Sequence, residues 1–201
     1  MTIVARPKIS VAMIGSNSER YLDEVLRSVA WADETVLVLD PASQDRTRPI
    51  ARAHGVRVIE RAWTGFAAQK NAAIAATRHP WVLSLDCDEV VDAELQAAIA
   101  RAEFERFDAF AVARKNHLGK QWVRHSGFYP DRQIRLFRRE LRFDDRPVHE
   151  QLEVTGRRVG TLAGHLIHFT YADVAEYVRK VRRYATLDAE LLSREGRRWS
   201  W

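Results

Sequence analysis

Four short runs rich in β-branched and aliphatic residues, KISVAMI (8–14), ETVLVLD (34–40), VRVIE (56–60) and WVLSLD (81–86), alternate with longer segments whose apolar residues recur three and four apart. That alternation limits the fold more than any other feature, because it is the pattern of a βαβ series. Ser18 stands where a helix cap would, ahead of a helix carrying Leu22, Val25, Leu26 and Val29 on one face. PASQDRT then turns into a second helix that Gly55 stops after His54, and a third runs from about Gly65 to Thr77. Strands joined by helices of this length run parallel with right-handed crossovers, so their C-terminal ends gather along one edge, where ligands bind. Ser16 and Asn17, Asp40, and the cluster Asp86 to Glu89 each follow a different strand and should converge on one crevice.

Beyond Glu89 the pattern becomes a helix at about 92–103, mixed short strands with many aromatic and basic residues, and a helix from about Ala172. With no repeat, low-complexity stretch or linker, 201 residues at 46% hydrophobic content read as one α/β domain. No apolar stretch reaches the roughly 18 residues that span a bilayer, and MTIVARPK lacks the apolar region of a secretory signal, so a cytoplasmic location is expected. The one cysteine, Cys87, excludes an internal disulfide and a cysteine-rich metal site. A formal charge of +5, concentrated late in RLFRRELR and REGRR, would attract nucleic acid, an anionic membrane surface or an anionic substrate, or else forms a solvated basic face.

The stretch WVLSLDCDEVV (81–91) places carboxylates directly after an apolar run, and ionised carboxylates are costly in an interior unless paired. In extended chain Asp86 and Asp88 share a face and Cys87 points away into packing. Two carboxylates about 4 Å apart repel by about 4 kcal/mol at an effective dielectric near 20, which a cation relieves. All-oxygen ligands favour Mg²⁺ or Mn²⁺, which keeps waters and takes further ligands from phosphates. The alternative is that Asp88, Glu89 and Asp92 cap and charge the following helix. The phosphate-binding loops Gly-X-Gly-X-X-Gly and Gly-X4-Gly-Lys-Ser/Thr are absent, which leaves Lys70 and Asn71, one turn into the helix before the acidic strand, as the candidate phosphate contacts.

SVAWADETVLVLDPASQDRT, WTGFAAQKNAA, WVLSLDCDE, RHSGFYPDRQIRLFRR, VHEQLEV and HLIHFTY occur in that order, and together they resemble the inverting family 2 glycosyltransferases, over about residues 8–198. The branch that includes lipopolysaccharide-core β-1,4-glucosyltransferases is the most similar. The resemblance implies the GT-A fold: a nucleotide-sugar-binding half (about 8–90), an acceptor and catalytic half (about 91–170) and a basic amphipathic helix (about 172–198). It implies transfer of a hexose, glucose by the branch, from a UDP-sugar to a hydroxyl of a glycolipid or saccharide acceptor in cell-envelope glycan assembly. Asp40 then contacts the uracil or ribose, Lys70 and Asn71 contact the nucleotide, and Asp86 and Asp88 form the DXD motif, with Asp88 the direct metal ligand. His168 completes the metal or diphosphate site. Glu150 is the catalytic base, with Asp131 the second candidate, and Arg124, His125, Tyr129 and Arg132 join Asp131 in an acceptor wall.

Relatives often have Lys-Asn-Glu where this chain has Ser16, Asn17 and Ser18, and Asp-Ser-Gly-Ser-Thr-Asp where it has DPASQDRT, which bears on the nucleotide pocket. A non-catalytic nucleotide- or partner-binding relative of the same fold is the competing reading, opposed by the presence of Asp86, Asp88, Glu150 and His168. The arginines are dispersed among aromatics and acids and match no nucleic-acid reader, so no nucleic-acid partner is expected. The last helix, with Val174, Tyr177, Val178, Val181 and Tyr184 on one face beside Arg179, Lys180, Arg182 and Arg183, is expected to pack on the domain. Its basic side would then meet anionic lipid peripherally, at the cytoplasmic face of the inner membrane.

Overall fold

The structure, a computed structural model, describes residues 6–125, 127–144, 150–179, 181–182 and 185. The first ninety residues form β1 (Ile9–Gly15), α1 (Glu19–Ser28), β2 (Glu34–Leu39), α2 (Thr47–Ala53), β3 (Arg57–Glu60), α3 (Phe66–Ala76), β4 (Trp81–Asp86) and the start of β5 (Glu89–Val91). There follow α4 (Ala93–Ala100), β6 (Ala109–Leu118), β7 (Gln121–Trp122), β8 (Asp131–Arg138) and β9 (Val159–Tyr171). The βαβ series expected from the sequence is present, with each boundary within a residue or two.

All nine strands join one sheet in the order β3-β2-β1-β4-β8-β6-β9-β5, with β7 paired to β6. β3, β2, β1 and β4 are mutually parallel, β8 is antiparallel to β4 and β6, and β6 and β9 are parallel. The register sets Gly15 beside Leu39 and Ile14 beside Asp86, so the ends of β1, β2 and β4 lie side by side. Period-two alternation divides the core into layers. Trp81, Leu83 and Leu85 of β4 pack with Leu22, Val25 and Leu26 of α1 and Leu95 and Ile99 of α4, while Val82 packs with Ala73 and Ile74 of α3 and with Phe137 and Phe143.

Three local expectations change. Ser18 holds the cap position of α1, but its side chain makes no capping bond; the Asp45 carboxylate does that work, accepting from Glu19 N at 2.8 Å and from Thr47 N at 3.0 Å. The region after Glu89 holds, beside the two-residue β7, the two longest described strands, β6 and β9. They can be long because their mutual pairing gives most of their backbone groups partners in the interior. Residues 174–179 are helical, and of the expected packing face Tyr177 meets Tyr171 of β9 edge-on at 5.0 Å, but Val174, Val178 and Val181 are 62%, 41% and 43% exposed, so among the described residues the expected apolar packing is made only in part. Lys180, Arg183 and Tyr184 fall outside the described residues.

β9 closes onto α4 through Gly164, whose φ of +82° is in the left-handed region; a Cβ there would collide with the Leu95 backbone. Gly164→Ala is therefore expected to cost more than about 2 kcal/mol, the scale of a left-handed non-glycine residue before the collision is counted. Urea unfolding measures it, and a change below about 0.5 kcal/mol would contradict this account of the closure.

Candidate active site

The edge where β1, β2 and β4 end opens into a cavity of about 1100 Å³. Gly15, Ser16 and Asn17 line it from the first loop, Asp40 from the second, Trp63, Phe66 and Lys70 from the entrance and first turn of α3, and Asp86 and Asp88 from the end of β4. Arg114, Gln133, Arg135, Glu150 and His168 line it from the later half of the chain. The convergence expected from the sequence is thus present.

Charge organises its floor. Glu89 is fully buried, and its Oε1 accepts from Arg135 Nη2 at 2.5 Å and from Arg114 Nη1 at 3.2 Å, while its Oε2 accepts from Asp86 N at 3.1 Å. Arg135 also reaches Asp86 Oδ2 at 2.8 Å, and Arg114 also holds Asp131 Oδ2 at 2.6 Å. On the α3 side Lys70 Nζ lies 2.7 Å from Glu150 Oε1 and 3.6 Å from Asp86 Oδ1. Desolvation works against the Asp86 charge, but Lys70 and Arg135 outweigh it and hold the carboxyl well below the usual range. The answer to what pairs with the acids of WVLSLDCDE is thus partly internal: Asp86 is paired with Arg135 and Lys70.

Asp88 differs. β4 ends at Asp86, so Cys87 and Asp88 lie in a turn rather than in the extended chain that the shared-face argument assumed. Cys87 is buried, as expected, donating to Ile14 O at 3.2 Å, and burial pushes its thiol above the ordinary range. Asp88 Oδ1 is 3.6 Å from His168 Nε2, and the two chains are tied by a bond from Phe169 N to Asp88 O at 3.0 Å. Burial lowers the His168 pKa to about 4, against the pull of Glu89 and Asp86, so the imidazole is neutral at pH 7. Two ligands of one Mg²⁺ or Mn²⁺, each about 2.1 Å away, stand at most about 4.2 Å apart, so Asp88 and His168 fit a shared hard cation.

Other expected residues are placed differently. Asn71 does not line the cavity: its amide donates to Phe143 O and accepts from Phe143 N, both at 2.9 Å, so it fastens the chain before Glu150 to α3. Asp131 is absent from the lining and is bound by Arg114, Asn116 and Gln133. Burial raises its pKa, but the bonds from Asn116 and Gln133 and the Arg114 charge bring it below the usual range, which weakens it as a base. Arg124, His125, Tyr129 and Arg132 lie outside the lining too. Arg124 stacks on Trp122 at 4.4 Å, and Tyr129 meets Trp122 edge-on and places its hydroxyl 3.2 Å from His165. Asp92, Glu94 and His165 bring ligand atoms within 4.8 Å of one another away from the cavity, where Asp92 caps α4 through Leu95 N at 2.8 Å.

Sequence reasoning missed Arg114, Asn116, Gln133 and Arg135, and it read RLFRRELR as a surface run. The signal in the sequence was the spacing: Asp131, Gln133 and Arg135 stand two apart in β8, and Arg114 and Asn116 two apart in β6, although the pairing of β8 with β6 slips by one residue at Arg135. Glu89→Gln, which leaves two arginines short of a buried counter-charge, is expected to cost about 3 to 5 kcal/mol in urea unfolding. In metal-free buffer, stability should fall with pH. The unfolded chain protonates His168 near 6.5 but the folded chain only near 4, so stability present above 6.5 is lost as pH falls through that window, and the depressed Asp86 and Asp131 extend the loss below 3.8. Urea midpoints at pH 7.5, 5.5 and 4 measure it, and a flat profile in that range would contradict the burial of a neutral His168.

The profile of Glycosyl transferase family 2 matches residues 10–163. Lipopolysaccharide core biosynthesis glycosyltransferase LpsC of Rhizobium meliloti is 27% identical over 205 residues, covering 98% of this chain and 76% of that protein. An uncharacterized glycosyltransferase of Rickettsia typhi, RT0209, is 27% identical over 209 residues, covering 96% of this chain and 70% of its own length. Among solved structures, S. aureus TarS superposes with a TM-score of 0.61 at 21% identity over 80% of this chain, which spans 60% of that one. The family match, the curled α/β sheet it implies and the acidic end of β4 agree: this chain belongs to glycosyl transferase family 2 and has the GT-A fold.

Proposed function

We propose that the protein is a metal-dependent inverting hexosyltransferase that uses a UDP-sugar, with glucose the first donor to test, and a hydroxyl of a glycolipid or saccharide acceptor in cell-envelope glycan assembly. One observation carries the reading: Asp88 and His168, Lys70 and Arg135, and Glu150 meet in one cavity at the ends of β1, β2 and β4. The name of LpsC supports the cell-envelope setting, and TarS is known in complex with UDP and with UDP-GlcNAc.

Mg²⁺ or Mn²⁺, held by Asp88 and His168, would supply charge neutralisation for the diphosphate. Asp40, which lines the cavity and whose Oδ1 accepts from Ala42 N at 3.0 Å, would contact the uracil or ribose; Trp63 and Phe66, which meet edge-on at 4.9 Å, also line the cavity. Lys70 holds Glu150 until a diphosphate, a better partner for its ammonium, competes for it; Glu150 can then take the acceptor's proton. The acceptor oxygen bonds to sugar C1 as the bond from C1 to the phosphate oxygen breaks, its electron pair leaving with UDP, and a single displacement inverts C1. Glu150 lines the cavity and Asp131 does not, which favours Glu150 as the base. No described helix is long and apolar enough to cross a membrane. The exposed Val174, Val178 and Val181, with Arg179 and Arg182 nearby, suit peripheral contact with anionic lipid at the cytoplasmic face.

UDP release from a panel of UDP-sugars, with and without Mn²⁺, tests the proposal. Release should need the ion, and Asp88→Asn should abolish it; UDP binding without any release would make the protein a binder. Glu150→Gln should lower kcat by about 10² to 10⁴ while UDP affinity is retained, the range of a lost general base. Asp131→Asn should act mainly on stability, and a loss of turnover confined to Asp131→Asn would move the base to Asp131.

A further inference from the structure

We infer that Asn116 is a positioning residue: it fixes the tautomer of His168, placing the proton on Nδ1 and turning a proton-free Nε2 towards Asp88. Asn116 lies in β6 and is 5% exposed. Its Nδ2 donates to Phe128 O and to Asp131 Oδ2, each at 3.0 Å. Both are acceptors, since Asp131 is kept ionised by Arg114 at 2.6 Å. Turning the amide over would set its oxygen against both of them, so the orientation is decided by partners other than the histidine. The amide oxygen therefore faces His168 Nδ1, at 2.7 Å.

An amide oxygen only accepts, so at that distance Nδ1 must carry the hydrogen. A neutral imidazole has one N–H, which leaves Nε2 as a lone pair 3.6 Å from Asp88 Oδ1. The opposite tautomer would put two lone pairs in contact at Nδ1, and its Nε2–H would gain no hydrogen bond across 3.6 Å. Thr170 Oγ1 lies 3.1 Å from Nδ1 and 3.3 Å from both Asn116 Oδ1 and His168 O; either oxygen can accept its hydrogen, so it does not require Nδ1 to be an acceptor. The chain of bonds thus runs from Asp131 and the Phe128 carbonyl through Asn116 to the atom that would bind a cation. Partners of this kind orient metal-binding histidines, and losing one typically weakens metal binding about 10- to 100-fold.

The functional consequence rests on His168 binding the cation, but the tautomer does not. In the ¹⁵N-labelled, metal-free full chain at pH 7.5, two-bond ¹H–¹⁵N correlations of the imidazoles, with His168 assigned by its loss in His168→Gln, report which nitrogen is protonated. Wild type should show the Nδ1–H pattern, and Asn116→Ala should move it to Nε2–H or to an average of the two. An Nε2–H or doubly protonated His168 in wild type overturns the inference, as does an unchanged Nδ1–H pattern in Asn116→Ala. Should Asn116→Ala fail to fold, the wild-type pattern decides alone. Titrating Mn²⁺ in the presence of UDP separates the two readings. A 10- to 100-fold weaker affinity in Asn116→Ala supports both, whereas an Nδ1–H wild type that binds no Mn²⁺ upholds Asn116 and removes the metal assignment.

Discussion

The buried carboxylate of Glu89 is the point on which the rest of the site depends. It sits where β4 turns into β5, and its two oxygens reach the Asp86 backbone and the guanidinium groups of Arg135 on β8 and Arg114 on β6. Four strands from both halves of the chain are therefore joined at one group. Removing a charge from water costs several kcal/mol, and the buried Arg135 and half-buried Arg114 offset this only if the geometry leaves few donors idle. Arg135 meets that condition only in part: one nitrogen, Nη2, is shared between Glu89 and Asp86, while its Nε finds no partner among the described atoms.

A consequence of this arrangement is a division of labour between two aspartates that look equivalent in sequence. Asp86 has the low proton affinity of a group already neutralised by Arg135 and Lys70. Asp88, past the end of the strand, faces a neutral histidine instead. Neutral imidazole and ionised carboxylate are the protonation states a hard divalent ion needs from its ligands, whereas a carboxylate held by an arginine and a lysine is a weaker donor. If the proposed function holds, the second acid of the motif would be the better metal ligand because of what surrounds the first.

The nucleotide-side architecture was legible because it rests on local periodicity. The runs 8–14, 34–40, 56–60 and 81–86 each became a strand, and the polar residues after them reached one edge. The other half was less so. β6 and β9 owe their length to each other, a pairing between residues some fifty apart that no window of sequence contains. Arg135 stood in a run read as a ligand-attracting or solvated basic face, and Arg114 was not singled out, because their counter-charge, Glu89, lies 46 and 25 positions away. Asn71 illustrates the converse: an amide next to a cavity lysine suggests a ligand contact, but each residue of a helix is rotated about 100° from the one before it, and of these two only Lys70 lines the cavity.

That same 100° step has a mechanical meaning. Lys70 grips Glu150, and Asn71 grips both backbone groups of Phe143, whose bridge to Leu152 closes the segment that carries Glu150. Two consecutive residues of α3 therefore act as two rivets on one plate. The acid cannot shift relative to the nucleotide-side helix without shearing the amide clamp, so reach toward an acceptor must come from the side chain of Glu150 or from α3 moving with it. In the proposed role of Glu150 as base, its precision would in this way be inherited from the packing of Ala73 and Ile74 beneath the helix.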